Sequence, residues 1–152
     1  MTPNTPLPFP NGGLNCYMCG PENPQGLKMQ FFRTGDNEIS ARITPPDHWT
    51  GWEGLVHGGL QCALMDEVTA WAAAVLTDRP SFFTLSLEVK YRRPVRTGRE
   101  LHVVGRLLDH KGSKSRIQGL IMNADGVVLV EALARILHVT DEKFNEIIDS
   151  AP

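Results

Sequence analysis

The run His57-Gly58-Gly59-Leu60-Gln61-Cys62-Ala63-Leu64-Met65-Asp66-Glu67 opens the only long helical pattern in the chain, from about Gly58 to Leu76. At about 100° per residue the pattern separates two faces. Leu60, Leu64, Val68, Trp71 and Val75 make a stripe of large apolar side chains. Gly59, Cys62, Asp66, Ala70 and Ala73 fall opposite, where nearly every residue is small. Between Leu60 and Leu76 the only charges are Asp66 and Glu67. A surface helix would show a charged face, so this one is expected to be enclosed nearly all round.

Enclosure makes the two acids informative, because an unpaired carboxylate in apolar surroundings is costly. Asp66 lies among small residues that leave room for a ligand or another chain's backbone. Glu67 lies near the edge of the apolar stripe, close to Leu64 and Trp71. The bland alternative is that both acids pair with cations from a sheet. In front of them, the Gly58-Gly59 pair permits close backbone approach, and its amides belong to the unsatisfied first turn. Those N–H groups, with the positive end of the helix dipole, can hold a developing oxyanion.

Outward from the helix, Leu27 to Phe32 and Glu38 to Ile43 read as strands around the turn Thr34-Gly35-Asp36-Asn37. Residues 47–56 read as a loop with Trp49 and Trp52. After Pro80 the period changes to two, with Phe83, Leu85, Leu87, Val89 and Tyr91 on one face and Thr84, Ser86, Glu88, Lys90 and Arg92 on the other. Strands at roughly 100–109 and 114–123 follow, then the hairpin turn Asp125-Gly126 and a strand Val127 to Val139. Thr140 can cap a short helix with Phe144, Ile147 and Ile148 on its apolar side. One long helix facing four consecutive antiparallel strands predicts an α+β fold. Residues 1–26 read as a loop-rich lead-in, 27–152 as the single folded domain.

Composition narrows the function. A chain of 152 residues with 41% hydrophobic residues can bury one core. A formal net charge of −2 gives no basic field for nucleic acid. No apolar run reaches the ~18 residues of a membrane span, and Met1 to Gly13 lacks the pattern of a signal peptide, so a cytoplasmic location is expected. Cys16, Cys19 and Cys62 are an odd set for a disulfide framework. Cys16-x-x-Cys19 falls short of the four ligands of a structural zinc site. No metal or cofactor is expected, although a metal shared across an oligomer and redox chemistry stay open.

The motif residues resemble the signature of phenylacetate-pathway (PaaI)-type hotdog thioesterases. Three further segments match related members: Cys16-Tyr17-Met18-Cys19-Gly20 with Asn23-Pro24-Gln25-Gly26-Leu27, then Gly51-Trp52-Glu53-Gly54-Leu55-Val56, and Tyr91-Arg92-Arg93-Pro94 with Gly98. The resemblance implies a hotdog fold, one long central helix wrapped by an antiparallel sheet of five to six strands. It also implies an acyl-CoA thioesterase with Asp66 as the catalytic carboxylate, acting as general base or as nucleophile.

In such enzymes the Gly59 amide would polarise the thioester carbonyl beside Gly58; His57, a further catalytic candidate, is expected to orient or anchor the turn, with a role as base the alternative. A hydroxyl on the third strand of a neighbouring subunit often assists the acid, and Thr84 fits that place. Several members place Asn or Gln before the motif, where this chain has Gly51 and Trp52; His48 is the nearest polar side chain. His48, Trp52 and the adjacent acid Glu67 are thus further substrate-binding candidates. Coenzyme A would bring phosphates, suited to Arg92 and Arg93 after the third strand and to the Lys111-Gly112-Lys114 turn. The family pairs its subunits, so a homodimer or homotetramer is expected. Two other functions stay open: a hotdog hydroxyacyl-thioester dehydratase, and a non-catalytic acyl-CoA-binding protein.

Overall fold

The computed structural model describes residues 5–9 and 13–152. Six strands form one sheet: β1 (Phe32–Gly35), β2 (Glu38–Ile43), β5 (Phe82–Tyr91), β6 (Leu101–Lys111), β7 (Lys114–Asn123) and β8 (Val128–His138). Their order is β1-β2-β6-β7-β8-β5, and every neighbouring pair is antiparallel. A small hairpin of β3 (Thr50–Trp52) and β4 (Leu55–Val56) precedes the helix α1 (Gly58–Thr77). The chain closes with α2 (Asp141–Asp149), capped by the Thr140 side chain, which accepts from the Lys143 N–H.

The helix crosses the sheet over a row of small residues. Gly105 on β6 pairs with Gly119 on β7, which pairs with Ala132 on β8. A Cβ on Gly105 would stand 2.6 Å from the Val68 carbonyl oxygen and 2.9 Å from the Ala72 Cβ. One on Gly119 would meet the Met65 Sδ and Thr69 Cγ2, both at 3.1 Å. These glycines are there because α1 lies directly on the strands. Leu64, Met65, Val68 and Ala72 are accordingly buried to nothing, with Ile39, Val103, Ile117, Ile121, Ala134 and Ile136 against them.

Four expectations need correction. The helix is not enclosed all round: Asp66 is exposed and Cys62 and Ala63 are half-buried, because one chain's sheet wraps only one side of α1. The strand expected from Leu27 does not enter the sheet until Phe32. Lys28 takes a left-handed conformation (φ 56°), and Leu27 and Met29 donate to the Tyr17 and Met18 carbonyls at 2.8 and 3.0 Å. The lead-in is therefore part of the core, with Leu7, Met18 and Cys19 buried. Loop 47–56 holds the β3–β4 hairpin, turning at Gly54 with φ 73°.

The fourth correction decides the site. In β5 the pairing runs Thr84 to Ile136, then Ser86 to Arg135, so Leu85 is a bulge and is 53% exposed. One extra residue inverts the alternation. Phe82 and Thr84 before it, and Leu87 and Val89 after it, share the helix side; Phe83 turns outward and stacks on Phe144 with centroids 5.1 Å apart.

Gly105→Ala should lower stability by about 1–3 kcal/mol, since the new methyl meets backbone that cannot give way. Urea unfolding measures the loss, and an unchanged midpoint would mean α1 does not seat on this row.

Candidate active site

The first turn of α1 is held from three directions. His57 is its cap: the Gly59 N–H donates to His57 Nδ1 at 3.0 Å. The His57 N–H donates to the Trp49 carbonyl at 2.8 Å, fixing the turn to the preceding loop. Gly51 on β3 makes room for the ring, because a Cβ there would lie 3.0 Å from His57 Cδ2. From the other side Tyr91, the last residue of β5, donates to the Gly58 carbonyl at 3.0 Å and lies 2.9 Å from Cys62 Sγ. The bond with Cys62, and to a lesser degree burial, pushes the Tyr91 phenol up to about 12. It is a fixed, protonated clamp.

Two turns on, Asp66 stands on the open, small-residue face. Thr84 Oγ1 donates to Asp66 Oδ1 at 3.2 Å. This contact is made within one chain. The β5 bulge is the reason: it turns Thr84 toward the helix. Among the described residues Asp66 has no ion-pair partner. An exposed carboxylate oriented by a hydroxyl and free of a cation is available to take a proton or to attack a carbonyl.

Glu67 points elsewhere. Trp71 Nε1 donates to its Oε1 at 3.0 Å, and the Cys16 thiol lies 3.9 and 3.8 Å from its two oxygens. Burial pushes the Glu67 carboxyl up, and the Asp66 charge adds to this. Glu67 therefore leaves the group of substrate-facing candidates. Trp71 is likewise a core residue, stacked on Phe31 at 4.7 Å and edge-on to Phe9 at 5.5 Å.

The other candidates lie apart from Asp66. His48 is exposed on the short 3-10 turn Asp47–Trp49, and Trp52 is 82% exposed on β3; neither has a hydrogen bond to the site. Arg92 pairs with Glu131 at 3.0 Å. Arg92 and Arg93 line a hollow of about 440 Å³ with Arg106, Gln118, Val128 and Glu131. Lys111, Gly112 and Lys114 form the β6–β7 turn, where Arg79 Nη1 donates to the Gly112 carbonyl at 3.0 Å. That places the turn at the C-terminal end of α1.

Two features escaped the sequence reading. Tyr91 was placed on a strand face with no partner assigned, and nothing in its spacing signals the clamp. His57 occupies the amide that was assigned to a substrate oxygen, so Gly59 can hold an oxyanion only when the ring yields its place.

A six-stranded antiparallel sheet wrapped on one long helix is the hotdog fold. The thioesterase superfamily model matches residues 53–130, which is just over half of the chain, and the chain belongs to that superfamily. A solved thioesterase superfamily protein is 28% identical with a TM-score of 0.73 over 79% of this chain; the chain spans only 61% of that protein's length. Zebrafish thioesterase superfamily member 2 superposes with a TM-score of 0.69 at 13% identity, covering 84% of this chain and 94% of its own. A Streptococcus mutans protein crystallised with acetyl-CoA gives 0.66 at 15% identity, covering 73% and 88%. No curated protein sequence matches the chain. Among the described residues no helix is long and apolar enough to cross a membrane.

Tyr91→Phe should cost a net of about 0.5–1.5 kcal/mol, the contribution of an ordinary intramolecular hydrogen bond. Chemical denaturation measures it, and Cys62 should react faster with a thiol reagent once its phenol partner is gone. Unchanged stability and thiol reactivity would remove the clamp.

Proposed function

We propose that the protein is an acyl-CoA thioesterase of the phenylacetate-pathway type, hydrolysing a thioester to free acid and coenzyme A. The observation that carries this reading is Asp66: a carboxylate on the open face of α1, oriented by Thr84 and without a cation, two turns from the Gly58-Gly59 turn.

Asp66 takes a proton from water as the water attacks the thioester carbonyl, or attacks it directly to give a mixed anhydride that water then opens. Either way the C–S bond breaks and the sulfur leaves as coenzyme A thiol. The carbonyl oxygen takes the place of His57 Nδ1 at the Gly59 N–H, a donor of a kind whose removal costs roughly 100- to 1000-fold in rate. His57 and Gly58 shape the turn, and Thr84 keeps the acid aimed.

The location of the cations supports a homodimer or a larger homo-oligomer. Helix α1 has 20 residues and so spans about 30 Å. The Lys111–Lys114 turn sits at its far end, too distant to serve the Gly59 end of the same chain. A partner chain could bring that turn to the mouth of the site, beside Arg92 and Arg93 at the near end. The acetyl-CoA held by the Streptococcus mutans relative is consistent with such a ligand.

One observation favours a second reading, a non-catalytic acyl-CoA-binding protein: the Gly59 N–H is already engaged by His57. Thiol release from short, medium, long and aromatic acyl-CoAs separates the two. Wild-type turnover should fall by at least about 100-fold in Asp66→Asn, the scale of a lost general base. Binding without turnover of any ester would select the second reading. Neutralising Lys111 and Lys114 together should raise KM for acyl-CoA far more than it lowers kcat, and an unchanged KM would take that turn out of the binding site.

A further inference from the structure

The lead-in places Cys16 and Cys19 against Glu67, and this cluster plays no part in the thioesterase reading. One ligand atom from each of the three lies within 4.8 Å of the other two. Cys16 Sγ is 3.8 Å from Glu67 Oε2. Around a tetrahedral zinc ion, with Zn–S of about 2.3 Å and Zn–O of about 2.1 Å, a sulfur and an oxygen stand about 3.6 Å apart. That pair needs only a small contraction.

The loop that carries the thiols is built to hold them there. Gly20 follows Cys19 in a turn so tight that a Cβ would lie 2.4 Å from the Cys16 nitrogen, and its N–H donates to the Cys16 carbonyl at 2.9 Å. Tyr17 and Met18, between the cysteines, accept main-chain bonds from Leu27 and Met29. The Lys28 ammonium reaches the Gly20, Pro21 and Asn23 carbonyls and ties down the turn after Cys19. Across the gap, the Trp71 indole fixes Glu67 Oε1 at 3.0 Å, the kind of outer contact that orients a ligand.

Glu67 is a largely enclosed carboxylate with no ion pair among the described residues. The Cys16 thiol lies within reach of both carboxylate oxygens of Glu67. Two soft sulfurs and one carboxylate suit a borderline-soft divalent ion far better than magnesium or calcium, whose sites are all oxygen. Three protein ligands leave a fourth position for water.

We propose that Cys16, Cys19 and Glu67 form a zinc site that pins the lead-in to α1 beside Asp66. Glu67 projects about 100° around the helix axis from Asp66, and the role of the site is to fix the helix rather than to touch substrate.

The test reads the ion directly and does not depend on turnover. The full chain, stripped with a chelator under reducing conditions, is titrated with Co²⁺ and then with Zn²⁺ in competition. Wild type should take up one ion per chain, with thiolate-to-cobalt charge-transfer absorption that zinc abolishes. Cys16→Ser and Cys19→Ser should each weaken binding by more than about 100-fold, beyond the effect of losing an outer-shell partner. Glu67→Gln, which can still accept from Trp71, should weaken it while keeping the thiolate band. Should a cysteine variant fail to fold, alkylation of wild type decides: zinc should protect Cys16 and Cys19 and leave Cys62 unprotected. The proposal is overturned if stripped wild type shows no charge-transfer band, if either serine variant binds Co²⁺ as tightly as wild type, or if zinc protects neither Cys16 nor Cys19.

Discussion

The close approach of α1 to the sheet at Gly105 is the contact on which the other positions depend. The Val68 carbonyl and Ala72 methyl rest where a β-carbon on Gly105 would be, and Met65 and Thr69 do the same over Gly119. Because Gly105, Gly119 and Ala132 pair side by side on consecutive strands, the sheet presents a shallow channel across its face, and the helix lies in it. Interiors are packed to crystal-like density, so a channel of this kind fixes rotation as well as distance. Once Leu64, Met65, Val68 and Ala72 are against the strands, the opposite face must point outward, and that face carries Asp66.

Rotation of the helix also decides what the two neighbouring acids become. Asp66 and Glu67 differ by about 100° around the axis. That angle sends one to the open face and the Thr84 hydroxyl, and the other under the lead-in against Trp71 and the cysteines. The same functional group thus sits in two environments: solvent with a single hydroxyl donor, and an apolar enclosure that favours its neutral form. Neither environment is local. The first depends on the β5 bulge and the second on residues 16–19, about fifty positions upstream.

This explains what the sequence made legible. The 3.6-residue period from Gly58 onward, the period-two strands and the Asp125-Gly126 turn are local signals, and apart from the β3–β4 hairpin the order of elements read from them is the observed order. The pairing of Asp66 with the motif glycines was likewise legible, being a matter of two helical turns. The bulge at Leu85 was not. A strand with unbroken alternation and one with an extra residue have the same pattern until the partner strand is known, so Thr84 was placed on the wrong face. The contact of Trp71 with Phe9 and Phe31 was equally hidden, since it joins a proline-rich lead-in that carries no periodic signal. The openness of the Asp66 face could not be read either. Small residues opposite an apolar stripe describe a face that something covers, without saying whether that cover belongs to the same chain.

His57 shows why the occupied state of the first turn still fits the proposed chemistry. The first N–H groups of a helix have no partner inside it, so leaving Gly59 bare would cost stability until substrate arrived. His57 Nδ1 supplies an acceptor in the interim, at a normal hydrogen-bond length of 3.0 Å. The ring is hinged on the backbone just before the helix, where Gly51 leaves it a gap in place of a side chain. A carbonyl oxygen that gains negative charge as it is attacked is a stronger acceptor than a neutral imidazole. Exchange at Gly59 is thus most favourable at the moment charge develops, which is when catalysis requires the donor. Tyr91 holds the Gly58 carbonyl from the other side, so the turn itself need not move while the ring does.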